Sequence, residues 1–267
     1  MDPECKIIHQ TWKTAEIPEH WKESEKKWKE LHPDWQYKLW TDADNLELTR
    51  TKFPHYLAMY EGYQYNIQRA DFIRYAILKT YGGLYSDLDI VPLRPFDEET
   101  FKGTKSDVYL MKNNSYLRPS MSVGAITNAL MIAAKKDCPF WQEVMDEAER
   151  RYKNPHWMWI GKHRKVINMT GPKMIHDVAH HYTHPITLLP TDITLCSVCD
   201  PPGTTRGRNP RVMSIEGKSW NGWDTTIMNF CFCKAYPILI ILLILFAYFV
   251  YRFFAYKKYC TDNKCSA

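Results

Sequence analysis

Two carboxylates in the first third of the chain have the spacing of a metal site. Asp87 and Asp89 are separated by one residue and follow a short apolar run, Leu84-Tyr-Ser86. On an extended segment, residues i and i+2 point to the same side, so both carboxylates face one space. Two neighbouring anions need a cation, and Mn²⁺ or Mg²⁺ binds carboxylate oxygens and a diphosphate together. The pair therefore predicts a divalent-metal site that assists a nucleotide in leaving its sugar, although the same pattern also marks solvated turns.

A second charged pair precedes this site. Asp71 and Arg74 lie three positions apart and share a face of a predicted helix. Arg74 can bind a phosphate or hold a carboxylate, and Asp71 can accept hydrogen bonds from sugar hydroxyls. The alternative is a simple helical ion pair, which the spacing alone favours.

The elements that must position these residues follow from hydrophobic spacing. Apolar residues at helical intervals predict a helix from Asn66 to Tyr81, which Gly82-Gly83 ends before a strand begins at Leu84. Four upstream elements alternate between strand and helix: a strand at 6–10, a helix at 21–31, a strand at 37–40 and a helix that Asp42 caps. This alternation predicts an α/β fold.

The middle of the chain continues the mixture of strands and helices. We predict strands at 107–111 and 122–126 and helices at 139–152 and 171–182. The segment 201–210 is a loop by composition, either an ordered active-site lid or a flexible connection.

These residues together resemble a known family. The run Arg69–Ile90 closely resembles the signature of glycosyltransferases with the DXD sugar-binding motif, and Ile7-Ile-His-Gln-Thr-Trp12, Ile17-Pro18 and Trp40-Thr-Asp42 match further family positions in order. Members include fungal initiating α-1,6-mannosyltransferases and inositol phosphorylceramide mannosyltransferases, and clostridial glucosylating toxins are more distant. The resemblance is strong over about residues 5–100 and continues weakly to Trp220.

The resemblance implies a GT-A-like nucleotide-sugar-binding domain that uses a divalent metal, Mn²⁺ or Mg²⁺, and transfers sugar with retention of configuration. It implies that Asp71 and Arg74 contact the sugar and phosphates of the donor. Asp87 and Asp89 match the DXD pair, with the second acid as the direct metal ligand. Trp12 matches an aromatic residue near the nucleobase.

A looser match lies near the end of the catalytic region. The segment Glu216–Trp220 resembles the part of the family in which a ligand side chain and a tryptophan close over the diphosphate. It implies Glu216 as a third metal ligand and Ser219 and Trp220 as donor contacts, although many relatives have a histidine where this chain has Ser214 or Glu216. Thr170-Gly-Pro172 also recurs in the family before a helix that faces the acceptor, and we interpret it as ordinary helix initiation.

The C-terminal part of the chain has the composition of a membrane span. An uncharged, strongly apolar run covers 235–251, and a helix of this length crosses most of a bilayer core. We therefore divide the chain into a catalytic domain at 1–230, a transmembrane helix at 235–254 and a short tail at 255–267. A span so near the C-terminus and the absence of an N-terminal apolar segment favour a cytosolic catalytic domain in the endomembrane system, whereas the basic residues that follow the span favour a lumenal one.

The composition of the chain bears on nucleic-acid binding and on the roles of the cysteines. The 267 residues carry a formal net charge of +5, but Lys and Arg are scattered among Asp and Glu, so we expect no nucleic-acid binding. The eight cysteines include Cys196-x-x-Cys199 and Cys231-x-Cys233, which are compatible with zinc, disulfides, palmitoylation or simple burial.

The sequence thus predicts a metal-dependent hexosyltransferase. The expected donor is a GDP- or UDP-sugar carrying a mannose-like, galactose or glucose residue, and the expected acceptor is a lipid or glycan hydroxyl near the membrane. The alternatives are transfer to a protein acceptor and a membrane-tethered pseudoenzyme that binds the donor without turnover.

Overall fold

The computed structural model describes residues 1–101, 103, 106–112, 126–189, 203, 210–215, 217, 222–231 and 236–262. The chain divides into two compact units, Met1–Trp220 and Asn221–Ala267. The domain limits predicted at 230, 235–254 and 255–267 stay predictions.

The first unit alternates strands and helices from its start. Its strands are β1 (Ile7–Thr11), β2 (Gln36–Trp40), β3 (Gly83–Ser86), β4 (Ile90–Pro92), β5 (Val108–Lys112), β6 (Ile126–Ala133), β7 (Ile186–Leu189) and β8 (Val212–Ser214). Its helices are α1 (Lys22–Leu31), α2 (Asp42–Lys52), α3 (Leu57–Gly62), α4 (Asn66–Tyr81), α5 (Glu98–Phe101), α6 (Pro139–Lys153), α7 (Lys162–Met169) and α8 (Pro172–His181). The predicted β-α-β-α opening is confirmed.

Six strands of the described residues form one mixed sheet in the order β2-β1-β3-β6-β5-β7. The β2, β1 and β3 strands are parallel, β6 runs antiparallel to β3 and β5, and β5 is parallel to β7. The predicted α/β class is therefore confirmed. The β4 and β8 strands form a separate two-stranded antiparallel sheet just beyond the end of β3.

The core lies on both faces of the main sheet because side chains alternate along each strand. On β3, Leu84 packs into one buried cluster with Trp28 of α1, and Tyr85 packs into the other with α4 and α6. The α4 helix is buried along most of its length, with Phe72 and Ile77 fully covered. This burial fixes α4 against the sheet and sets the position of the charged residues it carries.

One local prediction is wrong, one lies mostly outside the described residues, and one helix was not predicted. Thr41, not Asp42, caps α2, because its hydroxyl accepts the amide of Asp44 while the Asp44 carboxylate accepts the amide of Thr41. The strand predicted at 122–126 is described only from Ile126, where β6 begins and continues to Ala133. The helix α7 was not predicted, because its eight residues are largely basic and few of them are apolar.

The second unit contains α9 (Trp223–Phe230) and α10 (Tyr236–Asp262). By length and composition, the segment Ile238–Lys257 of α10 is able to cross a membrane. The predicted apolar C-terminal helix is present, and its helical structure continues past the predicted end at 254 to Asp262.

Candidate active site

A glycine pair connects α4 to the central strand of the sheet. Gly82 and Gly83 both have positive φ, 65° and 88°, which is unfavourable for residues with a Cβ. A Cβ on Gly83 would also overlap the carbonyl oxygen of Ile7 on the neighbouring strand β1. These glycines let the chain turn sharply, so that β3 pairs with β1 and the charged residues of α4 approach the carboxyl end of β3.

The predicted acid pair lies immediately after β3, in a turn and not on an extended segment. The amide of Asp87 donates to the carbonyl of Ala129 on β6 (2.8 Å), and the amide of Ile90 donates to the carbonyl of Asp87 (3.1 Å). The carbonyl of Asp89 accepts from the amide of Ile215, which follows β8 (2.8 Å). Both acids are therefore fixed by backbone hydrogen bonds between the main sheet and the small β4–β8 sheet.

Arg74 of α4 connects Asp71, on the same helix, to Asp87 of the acid pair. Its guanidinium donates to Asp87 through Nη1 (3.0 Å to Oδ1) and lies 3.1 Å from Asp71 Oδ1 through Nη2. The same Nη1 also donates to the backbone carbonyl of Asn128 (2.8 Å). Burial opposes the charge on Arg74, but Asp87, Tyr85 and Asp71 outweigh it and raise the pKa, so the guanidinium stays charged.

Asp71 lies behind Arg74 in a saturated polar network. Its two carboxylate oxygens accept from the Asn128 amide and the Thr170 hydroxyl, each at 2.9 Å. The Thr170 carbonyl in turn accepts from the Tyr75 hydroxyl (2.6 Å). Burial raises the pKa of Asp71 to about 6, against the lowering effect of Arg74. The structure therefore makes Asp71 a support for Arg74, and its predicted contact with the donor sugar stays a prediction.

One carboxylate oxygen of Asp89 has no hydrogen-bond partner among the described residues. Its Oδ1 atom is buried and accepts no hydrogen bond from any described residue. Burial and the nearby charge of Asp87 raise the pKa of Asp89 to about 8. An orphaned carboxylate oxygen is costly unless a proton or a cation satisfies it, so Asp89 is chemically suited to bind a metal.

Gly217 lies directly against this carboxylate. A Cβ placed on Gly217 would overlap the side chain of Asp89, so only glycine fits here without displacing the acid. The close approach follows from the pairing of β4 with β8, which brings the chain after Ser214 over Asp89.

These residues border a cavity of about 440 Å³, a size typical of small-ligand sites. Asp87 and Asp89 lie on one part of its wall, and Arg74 reaches it from α4. Its other lining side chains come from α2, α4, α7 and the residues next to β1 and α4, and they include Trp12, Asp42, Asn45, Tyr65, Asn66 and Lys162. Trp12 is held edge-on against Trp21, with ring centroids 4.8 Å apart.

The donor set fits a hard divalent ion that also takes oxygen atoms from a ligand. The described residues contain no group of three or more His, Cys, Asp or Glu side chains arranged for a metal. Asp87 and Asp89 supply two carboxylates, and a diphosphate and water can supply the remaining oxygens that Mn²⁺ or Mg²⁺ requires. The predicted third ligand Glu216 and the predicted donor contacts Ser219 and Trp220 lie outside the described residues.

Part of the first unit is similar to a known family of glycosyltransferases. Residues 18–114 match the family model described as "Glycosyltransferase sugar-binding region containing DXD motif". This segment is similar to the sugar-binding region of glycosyltransferases with a DXD motif. It contains Asp71, Arg74, Asp87 and Asp89, and the resemblance predicted from the sequence is confirmed.

The relatives that the chain resembles include fungal mannosyltransferases. The chain is 39% identical over 167 residues to inositol phosphoceramide mannosyltransferase 3 of Schizosaccharomyces pombe, covering 62% of this chain and 42% of that protein. It is 30% identical over 148 residues to the initiation-specific α-1,6-mannosyltransferase of Candida albicans, covering 53% and 35%. The match thus spans less than half the length of either relative. A solved structure, PaToxG glycosyltransferase, aligns with a TM-score of 0.49 at 18% identity and covers 66% of this chain and 68% of that one.

Two polar residues that donate hydrogen bonds to Asp71 were not predicted from the sequence to belong to the site. Asn128 had no recognisable signal, because it lies on β6, 54 to 57 residues from its partners Arg74 and Asp71. Thr170 was interpreted as ordinary helix initiation, and Pro172 does begin α8, but the Thr170 hydroxyl also bonds Asp71. Lys162 of α7 was missed together with its helix.

Proposed function

We propose that the chain is a divalent-metal-dependent, retaining glycosyltransferase that moves a hexose from a nucleoside diphosphate sugar to a lipid or glycan hydroxyl. The observation that carries the proposal is the orphaned Oδ1 of Asp89, beside Asp87 in the wall of a 440 Å³ cavity. Most buried polar atoms in folded proteins have a hydrogen-bond partner, so a buried carboxylate oxygen without one indicates a position for a ligand such as a metal ion.

Four residues in the cavity wall, Trp12, Arg74, Asp87 and Asp89, have proposed roles in donor binding. Asp87 and Asp89 would hold Mn²⁺ or Mg²⁺, which when bound neutralises the charge that develops on the departing diphosphate. Arg74 fixes the orientation of Asp87 and adds positive charge to the cavity wall, and Asp71 holds Arg74 in place. Trp12 offers an aromatic surface for the nucleobase. Glu216, Ser219 and Trp220 are proposed to complete the metal and diphosphate contacts.

The stereochemical and fold details rest on the family. A GT-A-like nucleotide-sugar site at the carboxyl end of β3 agrees with the general position of ligands in α/β sheets. Retention of configuration comes from the family resemblance, because none of the described cavity residues identifies itself as a nucleophile.

Two observations support the proposed acceptor: the names of the relatives and the apolar helix of the second unit. The names of the relatives refer to inositol phosphoceramide and to α-1,6-linked mannose. The apolar helix α10 is able to hold the chain at a membrane, where a lipid or glycan head group is within reach. We propose a single-pass endomembrane protein with the catalytic domain in the cytosol, and protease digestion of sealed microsomes tests the orientation: protection of the domain contradicts it.

A donor screen tests the activity directly. The full chain is incubated with Mn²⁺ and a panel of GDP- and UDP-hexoses, and nucleotide release is measured. We expect one donor to be cleaved in the presence of Mn²⁺, and we expect Asp89→Asn to remove this cleavage. Asp34→Asn, at an exposed surface acid, is the matched control.

Other outcomes of the screen separate the alternatives. Donor binding by calorimetry that ignores both Mn²⁺ and Asp89→Asn would contradict the proposal and indicate a pseudoenzyme. Product mass spectrometry that finds hexose on a protein and not on a lipid or glycan would contradict the acceptor assignment.

A further inference from the structure

The connection between α6 and α7 exposes apolar side chains. Trp157 is 78% exposed and Ile160 is 75% exposed, and Met158 between them is 46% exposed. Large side chains grouped in this way on a soluble surface are unusual and mark an interaction site. We call residues 156–160 the apolar turn.

The apolar turn is an ordered feature. The amide of Trp159 donates to the carbonyl of His156 (3.0 Å), and the amide of Met158 donates to the Nδ1 atom of His156 (3.2 Å). Trp159 itself packs against the main core, and the Arg151 guanidinium lies 6.0 Å from its ring centre. One tryptophan therefore anchors the turn, and its neighbours on either side point outward.

The charge around the apolar turn is strongly one-sided. Although basic and acidic residues are mixed over the chain as a whole, the segment 150–176 contains no Asp or Glu and has seven basic residues: Arg150, Arg151, Lys153, Lys162, Arg164, Lys165 and Lys173. Carboxylates of α6 and α8 neutralise four of these, at Arg150, Arg151, Lys153 and Lys173. On α7, Lys165 bonds the neutral side chain of Gln64, and within the described residues neither Arg164 nor Lys165 pairs with a carboxylate. The surface beside the apolar turn is therefore cationic.

We propose that the apolar turn and the first turn of α7 form a membrane-contact surface, with Trp157 and Ile160 inserted at the interface of an anionic phospholipid layer and Arg164 and Lys165 beside its head groups. Tryptophan favours this interface, and basic side chains add affinity for anionic lipid. A lipid layer is the favoured partner because the chain carries its own membrane-length apolar helix and charge complementarity selects an anionic surface.

This surface bears on the acceptor, a step that rests on the proposed function. Lys162 begins α7 directly after the apolar turn and also lines the cavity that holds Asp87 and Asp89. Contact of the apolar turn with lipid would therefore place the α7 side of the cavity near the head groups. A lipid-linked hydroxyl could then enter the site without leaving the membrane.

Hydrogen–deuterium exchange of the full chain tests the contact without requiring activity. The chain is placed in nanodiscs of phosphatidylcholine, in nanodiscs that also contain phosphatidylserine, and in detergent micelles. We expect amides 156–161 to exchange most slowly in the phosphatidylserine discs. Arg164→Gln should weaken the local insertion equilibrium about fivefold, the effect of one charge near an anionic surface. Lys26→Gln, at an exposed lysine of α1, should leave it unchanged.

Further variants complete the test. Trp157→Ser with Ile160→Ser should abolish the protection while Mn²⁺-dependent donor hydrolysis stays unchanged, which shows that the fold is intact. Leu93→Ser, at an exposed apolar residue outside the apolar turn, should keep the protection. Equal exchange in all three environments overturns the proposal, and equal protection by both disc types overturns the assignment of anionic lipid. Protection that grows with protein concentration in micelles indicates a second copy of the chain and also overturns it. Because exchange is also measured on Asp89→Asn, failure of the contact and failure of the enzymatic proposal are distinguishable.

Discussion

Arg74 Nη1 lies 3.0 Å from Asp87 Oδ1, and this contact joins a buried helix to the first acid of the DXD motif. The guanidinium is 3% exposed and the carboxylate 30%, so the pair lies at the boundary between core and cavity. Because Arg74 also bonds Asp71 of its own helix and the Asn128 carbonyl of β6, the guanidinium that orients Asp87 is held by two separate elements.

Arg74→Lys should impair the site although it keeps a positive charge. A lysine ammonium cannot reproduce the forked contacts to Asp71 and Asp87, so at least one of these two carboxylates loses its cationic partner. We expect donor hydrolysis to fall at least about 100-fold and the free energy of unfolding to fall by about 3 kcal/mol, as for a broken buried ion pair. Arg150→Lys, at an exposed arginine of α6, should change neither quantity. Wild-type kinetics in Arg74→Lys would show that simultaneous contact of the guanidinium with Asp71 and Asp87 is not needed for activity.

Thr170→Val tests whether the turn before α8 supports the site. The variant keeps the side-chain shape but removes the hydroxyl that donates to Asp71, and we expect a loss of about 1–3 kcal/mol of unfolding free energy. Thr80→Val removes a comparable hydroxyl on α4 that bonds only the local Ala76 carbonyl. Chemical denaturation of both variants provides the measurement. If Thr170→Val loses no more stability than Thr80→Val, the bond to Asp71 is not structural.

His9 should make the stability depend on pH. The indole N–H of Trp40 can only donate, so it fixes Nδ1 of His9 as an acceptor (3.1 Å) and leaves Nε2 to donate to the Gly82 carbonyl (3.0 Å). Burial lowers the pKa of His9 from 6.5 to about 3, so the unfolded chain binds the extra proton between these values. The contribution of neutral His9 is therefore complete above pH 6.5 and is lost as the pH falls toward 3.

Denaturant unfolding of the full chain in detergent between pH 7.5 and 4 measures this dependence. Wild type should lose up to about 1.4 kcal/mol per pH unit more than His9→Gln, which has no titrating group at this position. His20→Gln, at an exposed histidine, should follow wild type. Parallel curves for wild type and His9→Gln would contradict the buried neutral assignment.

Elements whose ends are set by neighbouring residues could be predicted from the sequence. The α4 helix was predicted from Asn66 to Tyr81 and has these bounds, because a long periodic apolar face meets a glycine pair that cannot continue it. The position of Asp87 and Asp89 at the end of β3 followed from the same glycine stop. Their conformation did not, because the turn at Asp87–Ile90 depends on hydrogen bonds to Ala129 and Ile215, which are distant in sequence.

The rest of the site depends on pairings that no local pattern signals. Asn128 reaches Asp71 only because β6 lies beside β3 in the sheet order, and Thr170 reaches it only because the α7–α8 turn packs over α4. The helix α7 was missed because its basic sequence has few apolar positions, and Lys162 of the cavity was missed with it. Non-local strand order and helix packing thus account for the omissions.

Gly217→Ala should weaken metal binding without removing a ligand. A Cβ at residue 217 overlaps the Asp89 side chain, so either the carboxylate or the loop after β8 must move, and a displaced ligand binds a metal poorly. We expect Mn²⁺ affinity, measured by calorimetry on the full chain, to fall about 10- to 100-fold, as for other changes that disturb ligand orientation. The double variant Asp89→Ala with Gly217→Ala separates the cause: if the glycine acts through Asp89, the second substitution adds almost nothing to the first. Additive losses would instead place the effect of Gly217 elsewhere in the loop.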